Sequence, residues 1–384
     1  MNLSVGLIQN REAIEVELNG RFNLAPGKHR ITSPITLTPL EPSASFTIPD
    51  VTIGIGFHWE RSERQTFRGG LRIIQKPGQG LTAINEIELE DYVTSVISSE
   101  MSASCPMELL KAHAVISRSW LWYPKANPAA IGPGNGSIEK PGEVIRWYGR
   151  EAHEDFDVCA DDHCQRYQGI TKQFSTTVEQ AVKETHHEML TYHGKVCDAR
   201  FYKCCGGLTE NYSVAWDDQR IPYLVPVKDP YCNTSDMKLL AQILPNFDQE
   251  TLDFYRWQVE YDAAELAEIV KSRLKEDFGT RIVDLVPLAR GASGRIYRLK
   301  IEGESKTLII GKELEIRRAL SKSHLYSSAF EVEKKDGKFV LKGSGWGHGV
   351  GLCQIGAAVM ADGGMDYRDI LRHYYPGTDT EIEE

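Results

Sequence analysis

The sequence has no hydrophobic run that approaches the ~18 consecutive apolar residues of a membrane-spanning helix. It is also poor in positive charge, because 44 Lys and Arg stand against 54 Asp and Glu and the formal net charge is −10. Phosphate contacts need clustered basic side chains, so a general nucleic-acid binder is disfavoured. We therefore expect neither a transmembrane segment in this chain nor a nucleic-acid partner.

Cysteine is sparse as well, with eight among 384 residues, which is too few for a disulfide scaffold. Most of the cysteines fall between residues 159 and 232, so that stretch is expected to hold a metal or a few bridges. The first twenty residues lack the basic segment and apolar core of a secretory signal. That pattern leaves open a cytoplasmic protein or one from which a leader has been removed.

Strand-like and helix-like segments are segregated along the chain, which predicts an α+β fold. Residues 1–69 alternate like strands and are expected to form a small N-terminal β unit on a main domain of residues 70–384. Residues 235–340 alternate one helix with several strands, which favours a distinct α/β subdomain. Residues 123–150 are rich in Pro and Gly and are predicted to be a loop.

Glycine is concentrated near the C-terminus, where residues 341–357 read LKGSGWGHGVGLCQIGA. Each glycine weakens a strand, so such a run suits a surface where a ligand lies against the main chain. His348 stands at its centre, and a helix is predicted to begin near Leu352. The alternative is a glycine-rich turn beside a core histidine.

Residues 88–100 carry an apolar stripe at helical spacing that leads to a carboxylic acid at Glu100. The stripe consists of Leu89, Tyr92, Val93, Val96 and Ile97. Burial raises the pKa of a carboxylic acid, which suits a general acid at neutral pH. The alternative is a structural Glu paired with Lys111 or Arg118, which share one face of the next helix. Those two basic residues could instead bind a sugar-acid carboxylate, and His113 beside them could simply pack.

A second cluster of reactive side chains lies in HEDFDVCADDHCQRY. Zinc favours four ligands of Cys, His or carboxylate type, and Cys159 and Cys164 with His153, or with His163, could supply three. A disulfide between Cys159 and Cys164, or two free thiols, are the alternatives. The pairing of the other cysteines cannot be assigned from the sequence.

Taken in order, these segments resemble the SpoIID/LytB family of bacterial cell-wall remodelling proteins over roughly residues 70 to 377. The blocks that carry the resemblance are DYVTSVISSEMSASCPMELLKAHAVISRSW, FDVCADDHCQRYQG, ARFYKCCGGLTENYSVAW, ARGASGRIYRLKIEG, GWGHGVGLCQIGAAVMA and YRDILRHYYPGT. The sequence departs from the family pattern at His113, where many relatives have Gln, and at Lys203-Cys204-Cys205 and Cys353.

The resemblance implies a SpoIID-like catalytic domain that cleaves peptidoglycan glycan strands as a lytic transglycosylase. It places the catalytic acid on Glu100 and implies zinc bound by His153, Cys159 and Cys164. The residues expected to bind substrate are Lys111, Arg118, Tyr202, Gly206, Gly207, His348, Gly349 and Gln354. One carboxyl group is enough if Glu100 protonates the leaving oxygen and then takes the proton of the muramic acid 6-hydroxyl, which gives a 1,6-anhydro end.

Two other functions compete with this expectation. The amidase-enhancer branch of the family suggests a non-catalytic activator that binds glycan and a cell-wall amidase as partner. A metal hydrolase centred on the Cys/His cluster is weaker, because the sequence has no HExxH-type helix. The substrate implies a location in the cell envelope, outside the cytoplasm. Sporulation, division and recycling are the processes that the sequence leaves open.

Overall fold

The computed structural model describes residues 1–55, 60–127, 135–150, 153–161, 164–172, 175–244 and 254–382. Within them the strands are β1 (Asn2–Arg11), β2 (Ile14–Asn19), β3 (Gly27–Ile31), β4 (Ile35–Leu37), β5 (Ser45–Ile53), β6 (Arg61–Arg68), β7 (Gly70–Gln75), β8 (Leu81–Glu88), β9 (Asn135–Lys140), β10 (Glu143–Tyr148), β11 (Val158–Cys159), β12 (Glu188–Tyr192), β13 (Lys195–Val196), β14 (Phe201–Tyr202), β15 (Arg256–Asp262), β16 (Ile282–Arg290), β17 (Ile296–Gly303), β18 (Thr307–Gly311), β19 (Phe330–Lys335), β20 (Lys338–Ser344), β21 (Leu352–Cys353) and β22 (Asp379–Ile382). The helices are α1 (Leu89–Glu100), α2 (Met107–Ala126), α3 (Thr176–Glu184), α4 (Tyr212–Ala215), α5 (Met237–Ile243), α6 (Ala263–Leu274), α7 (Glu313–Ala319), α8 (Gln354–Asp362) and α9 (Tyr367–Tyr374). The strands form several small sheets, and helices stand between them along the chain, which confirms the predicted α+β class.

The N-terminal strands form two sheets, one ordered β3-β2-β5-β6 and the other β11-β1-β8-β7-β4. The second sheet therefore contains β1 and β4 from before residue 69 and β7, β8 and β11 from after it. Buried side chains from Leu3 to Tyr375 also belong to one continuous core. The division into sequence units at residue 69 stays a prediction, but a shared sheet and a shared core cross it.

The two helices that follow β8 pack at the centre of this core. All five members of the stripe on α1 are at most 2% exposed, as the helical spacing predicts. Helix α2 runs to Ala126 although it contains Pro124. Proline cannot donate to the carbonyl four residues earlier, and the guanidinium of Arg150 donates to that Trp120 oxygen instead, at 2.5 Å. A side chain thus satisfies the carbonyl that the proline leaves unpaired.

The prediction of a loop over residues 123–150 is wrong. Besides the end of α2, the segment contains the antiparallel pair β9 and β10, joined by Pro141 and Gly142. Strand β10 also pairs in parallel with β18, so this hairpin extends the sheet ordered β16-β17-β18-β10-β9. Pro and Gly occupy the turn itself, and the strands beside them are short and polar, which hides their period in the sequence.

A second core lies under the strands between residues 257 and 341. Its fully buried members are Leu266, Val270, Phe278, Ile296, Leu299, Ile301, Ile310, Ile316, Leu320 and Leu341. Strands β15, β20 and β19 form one sheet here. Helix α6 packs against β15 and β16, and α7 packs against β10, β17 and β18. Helix α5, which begins at Met237, belongs to the first core, and the division at residue 235 stays a prediction.

The C-terminal segment returns to the first core. Strand β21 pairs in parallel with β14, and α8 begins at Gln354, two residues after the predicted start. Helix α9 is capped by Asp366, whose carboxylate accepts a hydrogen bond from the Arg368 N–H at 2.8 Å. The predicted cap is confirmed. Among the described residues, every helix is too short or too polar to cross a bilayer.

The turn between β9 and β10 gives a test of this hairpin. Gly142 has a φ of 76°, and a Cβ there would meet no described atom within 4 Å. Gly142→Ala should therefore lower the free energy of unfolding by about 1 kcal/mol through backbone strain alone. Gly142→Asn should cost less, because Asn tolerates the left-handed region. Urea denaturation measures both, and equal stability of the three proteins would contradict the turn.

Candidate functional site

Glu100 is the last residue of α1, at the end of the buried stripe. Its side chain is partly exposed, and its Oε1 accepts a hydrogen bond from the backbone N–H of Arg166 at 2.9 Å. The predicted salt-bridge partners are engaged elsewhere, as described below. The carboxyl group is therefore held at the boundary between core and surface.

The residues of the Cys/His segment converge next to this position. The ligand atoms of His153, Cys159 and Cys164 all lie within 4.8 Å of one another. His153 Nε2 is 3.3 Å from Cys164 Sγ, which also accepts a hydrogen bond from the Cys159 N–H at 3.5 Å. The three residues that the sequence singled out as metal ligands thus share one place in the fold.

The N-terminal strand β1 holds this segment in position. Val158 and Cys159 form β11, which pairs in parallel with Val5 and Gly6. A Cβ at residue 6 would lie 2.5 Å from the ring of Phe156, which in turn packs against the His153 ring at 4.6 Å. No role for residues 1–69 could be read from the sequence, and the structure gives β1 a positioning one.

Tyr92 connects helix α1 with the end of the Cys/His segment. Its hydroxyl is buried and donates to Gln165 Oε1 at 3.1 Å. Burial raises the pKa of Tyr92 well above its ordinary value, and the charges of Cys164, Cys159, Tyr167 and Glu100 raise it further. The hydroxyl thus ties helix α1 to the segment that follows the cysteines through Gln165.

The donor set fits a thiophilic ion. Two thiols and one imidazole at this separation are the ligand types that Zn²⁺ prefers, and three protein ligands leave one position open in a tetrahedral site. His163, the alternative ligand, lies outside the described residues. Zinc at this site remains a proposal.

The glycine-rich loop is organised by a buried arginine, Arg295, and not by space left for a ligand. The Arg295 guanidinium is fully buried and donates to Gly347 O at 3.1 and 3.0 Å and to Cys205 O at 3.3 Å. A Cβ at Gly349 would lie 2.5 Å from Cζ of Arg295, and one at Gly343 would overlap the Trp257 ring. The protein's own side chains occupy the space that these glycines leave.

Three glycines predicted to bind substrate are accounted for in the same way. Gly349 O accepts a hydrogen bond from the Glu210 N–H at 2.7 Å. A Cβ at Gly206 would lie 2.9 Å from Gly345 N, and one at Gly207 would lie 3.3 Å from the Tyr255 hydroxyl. Close packing against protein atoms explains why these positions are glycine, and sugar binding by Gly206, Gly207 and Gly349 stays a prediction.

His348 keeps a partly exposed side chain within this loop. Its ring packs against Tyr202 and Trp216, with centroids 5.2 and 4.9 Å away. Burial, followed by the charges of Arg200, Arg295 and Arg317, holds the pKa of His348 well below its usual range, so the ring is neutral. Its Nδ1 accepts from the Val350 N–H at 3.1 Å, which places the proton on Nε2.

Tyr202 and Arg118 were expected to touch substrate; both are buried, and their contact with substrate stays a prediction. Tyr202 is 5% exposed and lies behind His348. Arg118 is 0% exposed and donates two hydrogen bonds to Glu90, as well as to Thr185 Oγ1 and Val182 O. Its guanidinium is saturated inside the protein and ties α1 to α3.

Lys111 is also engaged. Its ammonium pairs with Glu108 at 2.9 Å and Glu184 at 2.8 Å, and its side chain is 15% exposed. Two carboxylates thus balance its charge, and binding of the lactyl group by Lys111 stays a prediction.

Gln354 is 5% exposed, and its side-chain nitrogen lies 3.1 Å from Nε2 of His113. With the amide nitrogen as donor, His113 Nε2 accepts and Nδ1 faces Ser117 Oγ at 3.2 Å. Burial, followed by the charge of Lys203, lowers the pKa of His113 to about 3, so this ring is neutral too. The pair joins α2 to α8 beneath the glycine-rich loop.

Sequence reasoning missed Arg295 and Glu210, which hold the loop together. Both are fully buried, and Glu210 accepts hydrogen bonds from the backbone of Ala292 and Ser293. Each lies within a block that carries the family resemblance, but nothing in the local pattern shows that these charged residues form a buried polar network.

Comparison with known proteins assigns relatives to the chain. Residues 77–192 match the family model described as Stage II sporulation protein, and residues 210–351 match a domain of unknown function, DUF8618. An uncharacterized protein of Brachyspira hyodysenteriae is 32% identical over 78% of this chain and 68% of its own length. Stage II sporulation protein D of Bacillus amyloliquefaciens is 29% identical over 77% and 75%. The amidase enhancer of Bacillus subtilis is 27% identical over 74% of this chain but 39% of its own length.

The packing of Arg295 against the glycine-rich loop can be tested with two matched glycines. Gly349 and Gly364 have nearly equal φ angles, 84° and 86°, but a Cβ meets Arg295 at the first and no described atom within 4 Å at the second. Gly364→Ala should cost about 1–2 kcal/mol of unfolding free energy from strain. Gly349→Ala should cost about 1–3 kcal/mol more from overpacking. Equal losses in urea denaturation would contradict the contact.

The low pKa of His113 predicts a dependence of stability on pH. The unfolded histidine takes up a proton near its model value of 6.5, whereas the folded one does so only at about 3. The part of the unfolding free energy that depends on a neutral His113 is therefore fully present above pH 6.5. It is lost as pH falls from 6.5 towards 3, by up to about 1.4 kcal/mol per pH unit.

His113→Gln should remove this contribution, because Gln does not titrate. The stability difference between the wild type and the variant, measured by urea denaturation, should shift by about 2 kcal/mol in favour of the variant between pH 7 and pH 5. Other buried histidines titrate in both proteins and cancel. A difference that does not change with pH would contradict a neutral, buried His113.

Proposed function

The chain belongs to the SpoIID family of stage II sporulation proteins, and we propose that it cleaves peptidoglycan glycan strands as a lytic transglycosylase. The observation that carries the proposal is the placement of Glu100. A buried helix ends at this carboxyl group, one of its oxygens is fixed by the Arg166 N–H, and the group remains partly exposed. A general acid needs both a fixed position and access to substrate.

One carboxyl group suffices for this reaction when the nucleophile belongs to the sugar. Glu100 protonates the glycosidic oxygen as the bond between N-acetylmuramic acid and N-acetylglucosamine breaks. The carboxylate then takes the proton of the muramic acid 6-hydroxyl as that oxygen attacks the anomeric carbon. The cleaved glycan strand ends in a 1,6-anhydro ring, no water is consumed, and Glu100 is again protonated. Ordinary glycosidases need a second carboxylate because they activate water or form a glycosyl-enzyme.

Two further groups support the same site. His348 is neutral and partly exposed at the glycine-rich loop, so its ring can pack against a sugar. His153, Cys159 and Cys164 would hold a Zn²⁺ ion, which would supply a positive charge close to the acid. The residues themselves orient the segment that carries Arg166 and so fix Glu100.

A second candidate function is activation of a cell-wall amidase without catalysis. It is supported by the similarity to the Bacillus subtilis protein named amidase enhancer. Because peptidoglycan is the proposed substrate, the proposed site of action is the cell envelope, outside the cytoplasm. Anhydro ends in digested glycan support the enzyme, whereas intact strands with a stimulated amidase support the activator.

The substitution Glu100→Gln tests the acid. We expect it to lower the rate of anhydro-muramoyl formation from peptide-free glycan by about 10²–10⁴-fold, which is the usual contribution of general acid–base catalysis. Chromatography with mass spectrometry measures the product. Glu88→Gln is the matched control, because Glu88 is exposed just before the same helix. Full activity of Glu100→Gln, with its fold intact, would remove Glu100 from the reaction.

A reaction run in water labelled with ¹⁸O distinguishes this mechanism from hydrolysis. In H₂¹⁸O the new sugar ends should carry no ¹⁸O, since the attacking oxygen comes from the muramic acid itself. Incorporation of ¹⁸O into the reducing ends would show that water is the nucleophile. That result would require a second base and would contradict the single-acid mechanism while leaving glycan cleavage in place.

A further inference from the structure

A second group of potential metal ligands lies apart from the Cys/His segment, inside the first core. Cys205, Asp229, Cys232 and Cys353 are all at most 2% exposed, and one ligand atom of each lies within 4.8 Å of all the others. Cys205 Sγ is 3.2 Å from Cys232 Sγ and 3.2 Å from Asp229 Oδ2. Three thiols and a carboxyl group are thus brought together from distant parts of the sequence.

The backbone around the cluster is arranged to stabilise negative charge on sulfur. Cys205 Sγ accepts a hydrogen bond from the Gly207 N–H at 3.3 Å. Cys353 Sγ accepts from the N–H groups of Cys205 at 3.3 Å and Gly356 at 3.5 Å, the latter in the first turn of α8. A helix N-terminus favours an anion, and hydrogen bonds to ligand sulfurs are a regular feature of metal–thiolate sites.

The carboxyl group of Asp229 is oriented in the same way as a metal ligand. Its Oδ1 accepts from the N–H groups of Tyr231 at 2.9 Å and Cys232 at 3.1 Å. Its Oδ2 accepts from the Tyr374 hydroxyl at 2.9 Å and faces the thiol of Cys205. Partners of this kind fix a ligating carboxylate and are typical of the surroundings of a metal site.

A buried hydroxyl beside the cluster lacks a partner. The Tyr202 oxygen makes no hydrogen bond to any of the described residues. Burial raises the pKa of Tyr202, and the charges of Cys205, Cys353 and Asp229 raise it further. Buried polar atoms are rarely left unpaired, and this one adds to the polar character of the core around the cluster.

We propose that Cys205, Cys232, Cys353 and Asp229 bind a tetrahedral thiophilic cation, with Zn²⁺ as the ion that best matches three sulfurs and one oxygen. Binding transfers the three thiol protons to solvent and needs no oxidant. The ion links the loop of residues 229–232, the end of β14 and the start of α8, and so stabilises the glycine-rich loop between them. The site is independent of Glu100 and of the proposed reaction.

The test uses the full chain, stripped of metal under reducing conditions, with Cys159→Ser and Cys164→Ser to disable the first cluster. Titration with Co²⁺ should give one equivalent bound, with the intense sulfur-to-cobalt and tetrahedral absorption bands that report several thiolates. Zn²⁺ should displace the cobalt and raise the melting temperature. Absence of cobalt binding in this double variant would overturn the proposal.

Two further variants assign the ligands. Adding Cys232→Ser should abolish the cobalt bands, whereas Cys105→Ser should leave them, because Cys105 is a buried thiol outside the cluster. If Cys232→Ser fails to fold, the stoichiometry of the double variant still decides. The rival is a bond between Cys205 and Cys232, and finding that disulfide with no metal in protein isolated without reductant would also overturn the proposal.

Discussion

The C-terminal part of the site depends on one buried cation, Arg295. Its guanidinium donates to Gly347 O, to Cys205 O and to Ser293 Oγ, and Ser293 in turn donates to the Glu210 carboxylate at 2.7 Å. A buried charge is costly unless its hydrogen bonds are satisfied. Here the satisfied network joins the second core, the strand β14 region and the glycine-rich loop, and it fixes where His348 stands.

The other half of the site is held from the N-terminus. Strand β1 pairs with β11, and the segment that follows carries the Arg166 N–H to Glu100. Asp157 adds a hydrogen bond between its carboxylate and the Ser4 N–H at 2.9 Å. The proposed acid is therefore positioned by parts of the chain that carry no chemistry themselves, and the metal that we propose at Cys159 and Cys164 would stiffen the same connection.

Patterns set by local physics could be predicted from the sequence. The stripe on α1 follows helical period, and the cap at Asp366 follows the needs of a helix N-terminus, so both are found as expected. Partners set by tertiary packing could not be predicted. Arg118 reads as a surface cation but is buried against Glu90, and Arg295 fills the space beside Gly349. The position of a glycine can be found in the sequence, but the atom that packs against it is set by the tertiary structure.

The central claim is that a single carboxyl group at the end of α1 meets the glycosidic oxygen. The most direct measurement is a crystal structure of the Glu100→Gln protein with a bound muramoyl oligosaccharide. We predict that the introduced amide lies within hydrogen-bonding distance of a bridging oxygen, about 3 Å, with the 6-hydroxyl of the muramic acid on the same side. A glycan bound elsewhere, with residue 100 out of contact, would contradict the account.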